Sequence, residues 1–313
     1  MSPSVNRINQ GISNPSIQVR VLSEAPFFKD TMTKPIWIIQ ENEFMDKEVS
    51  RLRAVLDTAE TDYLPIRFDR YKAEIPEDIR TYPHLQNRPV IQYGSKEFIR
   101  GLRDVSSFTP GAYGMDEISC SEYYTTIPKS LLLNSEYIFT TWGEFSRSYE
   151  YFFNMIDKEK NTLFVRPNSG MKTFAGLTIN IIDAEAVISR IDRTSGVNRC
   201  TLILLAPAKS LPDYEHRFVI VDGNVVAGCS YSWDKDNISE YPADAFDIAQ
   251  AVAKNEYQLD SAYTCDVVIT DLGPKVVELN SLSCAALYEC DRNKVVEATN
   301  IAAINDYKML YED

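Results

Sequence analysis

The second half of the chain is a series of short β-rich segments bounded by turn residues, and this pattern limits the possible folds more than any other feature. β-branched and aromatic residues favour strands, and Gly, Pro, Asn and Asp favour turns between them. Two connections are short enough for hairpins, Asp222-Gly223 and Leu272-Gly273-Pro274. The predicted strands are residues 162–166, 176–183, 201–206, 218–221, 225–230, 265–270 and 276–280. We therefore expect hairpin-rich β-structure with few long helices in this half.

Two helices are predicted beside these strands. Residues 142–157 carry aromatic and aliphatic side chains at a spacing that places them on one helical face. Residues 242–257 begin with Pro242, which suits the first turn of a helix, and continue with apolar residues at helical spacing. Both patterns predict a helix with one buried face.

The residues before 125 show a different pattern, in which strands alternate with helices. Residues 35–39 form a short β-rich run, and residues 47–60 carry apolar side chains at helical spacing. Two further apolar stretches continue this alternation. We therefore expect a mixed α/β and α+β protein, with a small α/β lobe and a partly parallel sheet in residues 1–125 and a second region in residues 126–313.

The composition is that of an ordinary globular protein, and its charge disfavours polyanionic partners. The 313 residues are 44% hydrophobic, 11% aromatic and 25% charged. Lysine and arginine total 32 against 45 aspartate and glutamate residues, so the net charge is −13. A chain of that charge repels nucleic acid and anionic membranes, and neither is expected as a partner. The oligomeric state stays open.

The sequence carries no pattern of a membrane span, a leader or a zinc site. The longest apolar run, Leu202–Ala208, is far shorter than the roughly 20 residues that cross a bilayer. Residues 1–33 lack the apolar core of a secretory leader, so the expected location is the cytoplasm. The six cysteines include no C-x-x-C pair. We interpret them as small buried hydrophobic residues.

One candidate site is the loop of residues 166–176, RPNSGMKTFAG, between two predicted strands. Its small residues and its two cations, Arg166 and Lys172, could surround phosphate with backbone N–H groups and positive charge. Asn, Ser and Gly are equally common in ordinary loops, and the motif taken alone favours that interpretation. It is not a Walker P-loop, because the required glycine and lysine spacing is absent and a strand is expected to follow.

A second candidate site lies on the hairpin that turns near Gly273. Asp266 on one arm is expected almost opposite Asn280 on the other, and Glu278 shares the face of Asn280 because side chains alternate along a strand. Two carboxylates and an amide oxygen suit magnesium together with the phosphates of a nucleotide. The alternative is a pair of solvent-facing acids. Apolar neighbours on both arms argue against it, since unpaired acids in a central hairpin are costly.

A third element is the sequence EHRF at residues 215–218, soon after an apolar strand that ends near Ala206. The end of that strand could present backbone groups to a flat ring. Glu215 and Arg217 are expected on one face of the next strand, with His216 on the other as a structural or surface residue. A cross-strand ion pair of Glu215 and Arg217 is about as consistent with this pattern as a functional role.

The order of these elements gives them a joint meaning. A cationic loop, an apolar strand end, an E-x-R strand and a D…E-x-N hairpin follow one another along the chain. In this order they resemble the ATP-grasp superfamily, specifically the clade of phage and bacterial genomes in which arginine replaces the first ATP-binding lysine. The matching stretches are LFVRPNSGMKTFAG at 163–176, LILLAPAKSLPDYEHRFVIVDGNVVAGCSYS at 202–232 and CDVVITDLGPKVVELNS at 265–281.

The resemblance implies two subdomains that hold ATP, and it gives each motif a role. Arg166 and Lys172 are expected to contact ATP phosphates, the backbone at Leu205 and Ala206 to hold adenine, and Asp213 to contact ribose. Arg217 is expected near the transferred phosphoryl group, so Arg217 and Lys172 are the catalytic candidates. Magnesium is expected on Asp266, Glu278 and Asn280. Arginine at 166 departs from the wider superfamily, because its planar fork binds phosphate differently from lysine.

The implied activity is ATP- and magnesium-dependent joining of a carboxylate to an amine through an acyl phosphate. The expected partners are small or peptide substrates that the sequence does not identify, and the location would be the host cytoplasm if a phage encodes the chain. One alternative is a nucleotide-binding protein without ligase activity that acts by binding a protein partner. Another is phosphoryl transfer that stops at a phosphorylated product.

Overall fold

The computed structural model describes residues 34–41, 46–68, 75, 79, 81–115, 118–156, 161–170 and 172–311. Its first unit is a four-stranded sheet in the order β2-β1-β3-β4 with every neighbouring pair parallel. The elements are β1 (Ile36–Glu41), α1 (Asp46–Thr58), β2 (Asp62–Arg67), β3 (Val90–Tyr93), α2 (Lys96–Val105) and β4 (Pro110–Gly111). The predicted α/β lobe with parallel strands is confirmed.

The second sheet is antiparallel and has the order β5-β8-β6-β7. Two helices, α4 and α5, pack against it through a core rich in aromatic and aliphatic side chains. The elements from the end of the first unit onward are α3 (Cys120–Thr126), β5 (Ile138–Thr141), α4 (Trp142–Ile156), β6 (Thr162–Pro167), β7 (Leu177–Asn180), α5 (Ala184–Thr194) and β8 (Leu202–Pro207). The predicted strand at 176–183 is shorter than expected, because a 3₁₀ turn begins at Ile181.

The third sheet is also antiparallel, in the order β10-β9-β11-β12, and is buried on both faces. Its elements are β9 (Glu215–Val221), β10 (Asn224–Tyr231), α6 (Ala243–Ala253), β11 (Ala262–Thr270) and β12 (Gly273–Ser281). The predicted turn residues Asp222 and Gly223 have φ angles of 46° and 68°, as a tight hairpin requires. Both predicted hairpins form.

The last helix, α7 (Arg292–Tyr311), returns to the first unit. Val295, Val296 and Ala303 join a core that includes Trp37 of β1 and one face of the third sheet. The other face of that sheet packs against α3 and α6. Neither α5 nor α7 is among the predicted helices. Within the described part of the chain, no helix is both long and apolar enough to cross a membrane.

Most of the cysteines are buried, as predicted, and all six are free thiols. Cys200 is the correction: it is exposed because it lies in the turn before β8. His216 is a structural residue, since its Nδ1 lies 2.8 Å from the Ser230 Oγ on the neighbouring strand. Burial lowers its pKa, so the ring is predominantly neutral near pH 7.

Candidate active site

A cavity of about 370 Å³ lies between the second and third sheets. Along β6, Phe164 and Arg166 both face it two residues apart, so an apolar part of the lining is followed by a charged part. Leu133, Leu177 and Leu211 extend the apolar part. Such a cavity can accept a ligand that is flat and apolar at one end and anionic at the other.

The predicted basic loop and acidic hairpin meet at this cavity. The Lys172 Nζ lies 2.8 Å from Glu278 Oε1, and the Arg166 guanidinium lies 3.2 Å from Glu278 Oε2. Lys172 has a φ of 49°, which lies in the left-handed region, and this backbone bend directs the end of the loop back towards β12. Residues from a loop far away in the sequence therefore form the ion pairs of the hairpin carboxylate.

Glu278 is held in its ionised form. Burial alone would raise its pKa, but the charges of Arg166 and Lys172, with hydrogen bonds from Lys172 and Asn280, lower the pKa to about 2. A carboxylate in this state accepts hydrogen bonds and attracts cations at any pH near neutrality. It is suited to binding a metal ion rather than to donating a proton.

Arg217 is fixed in a second charged cluster behind the cavity wall. Its Nε and one terminal nitrogen donate to the two carboxylate oxygens of Asp266 at 2.8 and 2.6 Å, and the other terminal nitrogen donates to the Ala286 carbonyl at 2.8 Å. The stacked rings of Tyr231 and Tyr288 lie about 5 Å from its Cζ. The guanidinium therefore has little freedom to reorient.

The alternative ion pair of Glu215 with Arg217 does not form. Glu215 instead accepts a hydrogen bond of 2.7 Å from the Tyr231 hydroxyl, which also reaches Asp266 at 3.3 Å. Burial raises the pKa of Glu215, and the nearby charge of Asp266 adds to this rise. Both Glu215 and Tyr231 line the cavity.

The expected register of the acidic hairpin needs a correction. Asp266 lies opposite Glu278 rather than opposite Asn280, because the pairing runs through residues 264 and 280 and shifts after Asp266 at a bulge. The three side chains nevertheless converge as predicted. The Asn280 amide donates to Asp266 Oδ2 at 3.1 Å and to Glu278 Oε1 at 2.9 Å. Asn280 thus bridges the two carboxylates.

These oxygens were tested as a metal site by their chemistry. Among the described residues, no group of three or more His, Cys, Asp and Glu could hold a metal by itself. The hairpin offers two carboxylates and one amide that lie within hydrogen-bonding distance of each other. Magnesium commonly takes one or two protein carboxylates and completes its shell with phosphate and water. The donor set fits that ion when a nucleotide is bound.

The predicted adenine and ribose residues lie elsewhere. Leu205 and Ala206 are fully buried in β8, which is paired on both edges, and Leu205 lines a second cavity of about 290 Å³. Asp213 is exposed and forms a 2.5 Å ion pair with Lys235. None of the three lines the larger cavity within the described residues. Their assignment to adenine and ribose stays a prediction.

Sequence reasoning missed several residues that line the larger cavity. Lys209 follows β8, and its Nζ lies 3.3 Å from Asn134 Oδ1 across the cavity wall. The cation just beyond the predicted strand end was the available signal for Lys209. Asn134 and Trp233 lie in loops without a recognisable pattern. The cavity lining brings together Arg166, Lys172 and Glu278 of the predicted set, whereas Arg217, Asp266 and Asn280 lie behind it.

Comparison with known proteins agrees with this arrangement. Residues 155–299 match the model of an ATP-grasp domain family, the third family of its clade. The fold is an ATP-grasp fold. No curated protein matches the chain. The family match supports the predicted superfamily.

Solved structures of ATP-grasp proteins extend the likeness over most of the chain. D-cycloserine synthetase DcsG superposes with a TM-score of 0.61 at 12% identity, covering 86% of this chain and 99% of that one. D-alanine–D-alanine ligase from Bacillus anthracis gives 0.53 at 14% identity, with 88% and 99% covered. A RimK domain protein from Sphaerobacter thermophilus gives 0.54 at 12%, with 85% and 97% covered. At such low identity the likeness concerns the fold.

Proposed function

We propose that this protein is an ATP- and magnesium-dependent ligase that joins a carboxylate to an amine through an acyl phosphate. The observation that carries the proposal is the meeting of Arg166 and Lys172 with Glu278 at one cavity, within an ATP-grasp fold. D-alanine–D-alanine ligase from Bacillus anthracis, of the same fold, has been solved in complex with ATP. ATP is therefore the nucleotide we propose for this cavity.

In this proposal the nucleotide base occupies the apolar part of the cavity and the phosphates occupy the charged part. Phe164 and Leu211 offer apolar surface for the base. Arg166 and Lys172 bind phosphate oxygens, and arginine at 166 takes the place that lysine has in the wider superfamily. Glu278, Asp266 and Asn280 hold magnesium, which supplies positive charge to the phosphates. The ligand then replaces Glu278 as the partner of the cations.

The proposed reaction has two displacements. A substrate carboxylate oxygen attacks the terminal phosphorus of ATP, the bond from that phosphorus to the bridging oxygen breaks, and ADP leaves. An amine nitrogen then attacks the acyl carbon, inorganic phosphate leaves, and the amine gives up a proton. Lys172 offsets the negative charge on the transferred group, and Arg217 is kept oriented for that purpose by Asp266. No side-chain nucleophile is needed.

The substrates are proposed only as a class. The structural relatives include a ligase named for D-alanine and, in PsnB, a ligase solved with a minimal precursor, magnesium and ADP at a TM-score of 0.50 and 13% identity. A small-molecule or peptide carboxylate and an amine are the corresponding proposal here. The need for ATP agrees with a cytoplasmic reaction.

The decisive experiment measures ADP release with magnesium and ATP across a panel of amino acids and short peptides. Wild type is expected to release ADP faster with a matching carboxylate and amine, and Glu278→Ala and Glu278→Gln are expected to lower that rate by about 100-fold or more. Lys254→Ala, at an exposed position, serves as the control. Equal substrate-independent rates in wild type and both variants would contradict the ligase assignment.

Two further measurements separate this activity from the alternatives. Calorimetry that shows ATP binding without turnover under every condition would favour a nucleotide-binding protein that acts through a partner. ADP accompanied by a phosphorylated substrate, but by no amide, would favour simple phosphoryl transfer. Mass spectrometry of the products distinguishes the amide from the phosphorylated compound.

A further inference from the structure

The first lobe contributes a lysine to the phosphate loop that no sequence motif indicated. Lys96 is the first residue of α2, and its Nζ donates a 2.6 Å hydrogen bond to the Gly170 carbonyl. Gly170 lies in the loop between β6 and β7, two residues before Lys172. The side chain therefore crosses from the parallel sheet unit to the loop that carries the predicted phosphate-binding lysine.

The loop is held firmly where Lys96 contacts it. The Gly170 N–H donates to the Ile118 carbonyl at 2.6 Å, while its own carbonyl accepts from Lys96. A Cβ at residue 170 would lie 2.7 Å from the Ile118 Cβ, so only glycine fits between the loop and residue 118. Lys96 and Lys172 are thus presented by a turn with a defined conformation.

The surroundings of Lys96 are unfavourable for a cation that has only a structural role. It is half-buried, its hydrogen-bond acceptor is a neutral carbonyl, and among the described ion pairs it has none. Burial lowers its pKa, and the charge of Lys172 lowers it further, whereas Glu278 opposes this shift. Two lysine ammonium groups near one carboxylate leave an excess of positive charge that an anion would offset.

The position of Lys96 indicates which anion it is. Following β6 through the cavity leads from Phe164 to Arg166 and then into the loop at Gly170, where Lys96 lies. A nucleotide with its base beside Phe164 and its first phosphates beside Arg166 directs its last phosphate towards this loop. A lysine has a flexible four-carbon stem, so its ammonium group can exchange a carbonyl for a phosphate oxygen.

We propose that Lys96 binds the terminal phosphoryl group of ATP, together with Lys172, and so is a catalytic residue supplied by the first lobe. The proposal rests on the nucleotide site described above. It gives the first lobe a direct part in the reaction. Binding of the terminal phosphate also draws this lobe and the phosphate loop to the same ligand.

The test compares two nucleotides that differ in the terminal phosphate. The affinities of AMP-PNP and ADP, each with magnesium, are measured by calorimetry for wild type, Lys96→Met, Lys96→Arg and Lys172→Met. Lys96→Met is expected to weaken AMP-PNP binding about tenfold or more and ADP binding by less than about twofold. Lys96→Arg is expected to retain most of the affinity for AMP-PNP. Lys47→Met, at an exposed position on α1, is the matched control.

Each other outcome overturns the proposal in a distinguishable way. An equal loss for both nucleotides would show that Lys96 only holds the loop through Gly170. Unchanged binding of both in Lys96→Met, with weaker binding in Lys172→Met, would leave the nucleotide site standing without Lys96. If wild type binds neither nucleotide, the nucleotide site itself is wrong. Thermal unfolding of each variant checks that the fold is kept.

Discussion

At the scale of single residues, the site depends on carboxylates that are buried and yet charged. Glu278 has Arg166, Lys172 and Asn280 as partners, and Asp266 is fully buried with Arg217 on both of its oxygens. A buried carboxylate keeps its charge only where cations and hydrogen bonds replace water. The charges therefore stabilise the protein only as sets.

The ionisation of Glu278 predicts a specific dependence of stability on pH. Its pKa is about 2 in the folded protein and ordinarily 4.5, so its contribution is complete above pH 4.5 and is lost as the pH falls towards 2. The difference in unfolding free energy between wild type and Glu278→Gln should be constant from about pH 7 to 5 and decrease below 4.5. Urea unfolding at each pH measures it. A difference that grows on acidification would contradict the depressed pKa.

The pairing of Arg217 with Asp266 predicts strong coupling in a double-mutant cycle. Arg217→Ala leaves a fully buried carboxylate without its partner, and we expect a loss of about 3 kcal/mol or more in unfolding free energy. Removing the charge as well, in Arg217→Ala with Asp266→Asn, should recover a large part of that loss. Chemical denaturation of the four proteins gives the coupling. Additive effects would show that the two residues do not interact.

At the scale of elements, the loop between β6 and β7 has its conformation set from outside. Asn168 accepts a hydrogen bond from the Cys120 N–H through its carbonyl and one from the Ser121 N–H through its side chain. Gly170 is fixed by Ile118 and Lys96. The start of α3 and the start of α2 thus shape the loop that carries Lys172.

This dependence predicts the effect of Gly170→Ala. The added methyl group would approach both the Cβ and the carbonyl of Ile118, at 2.7 and 3.1 Å, so the loop must move. We expect ATP affinity to fall about tenfold or more while the fold is kept, because the cations leave their positions. Thr125→Ala, at an exposed position on α3, should change little. Unaltered ATP binding in Gly170→Ala would show that this turn does not position the ligand.

At the scale of the whole molecule, the two ends of the chain share one core. The buried face of α7 packs with β1 and α1, and Arg292 of α7 forms a 2.8 Å ion pair with Glu48 of α1. One face of the third sheet belongs to the same core. The boundary predicted near residue 125 stays a prediction, because the contacts on its two sides are continuous.

This shared core predicts that residues 126–313 do not form a stable unit alone. Removing the first 125 residues would expose Val295, Val296 and the apolar face of β9, each of which is buried in the full chain. We expect the fragment to aggregate or to lose cooperative thermal unfolding. The full chain, expressed in parallel, is the reference. A fragment that unfolds cooperatively with an unchanged midpoint would contradict this.

Local sequence predicted the strands and the motifs better than it predicted the helices. The strands carry strong signals because the third sheet is buried on both faces and its segments are nearly continuous apolar runs. The helix α7 buries mostly small or β-branched residues, such as Thr299 and Ala302, and so has a weak apolar stripe. The register of Asp266 was missed because one bulged residue shifts the pairing.

The sequence by itself determined the order of strands and turns and the charged side chains that the basic loop and the acidic hairpin carry, since these depend on nearby residues and on alternation along a strand. Only the tertiary structure decided that Lys96 reaches Gly170, that Arg217 binds Asp266 and that Asp213 lies away from the cavity. Those contacts join residues far apart in the chain, and their geometry depends on how the lobes pack, which local preferences do not specify.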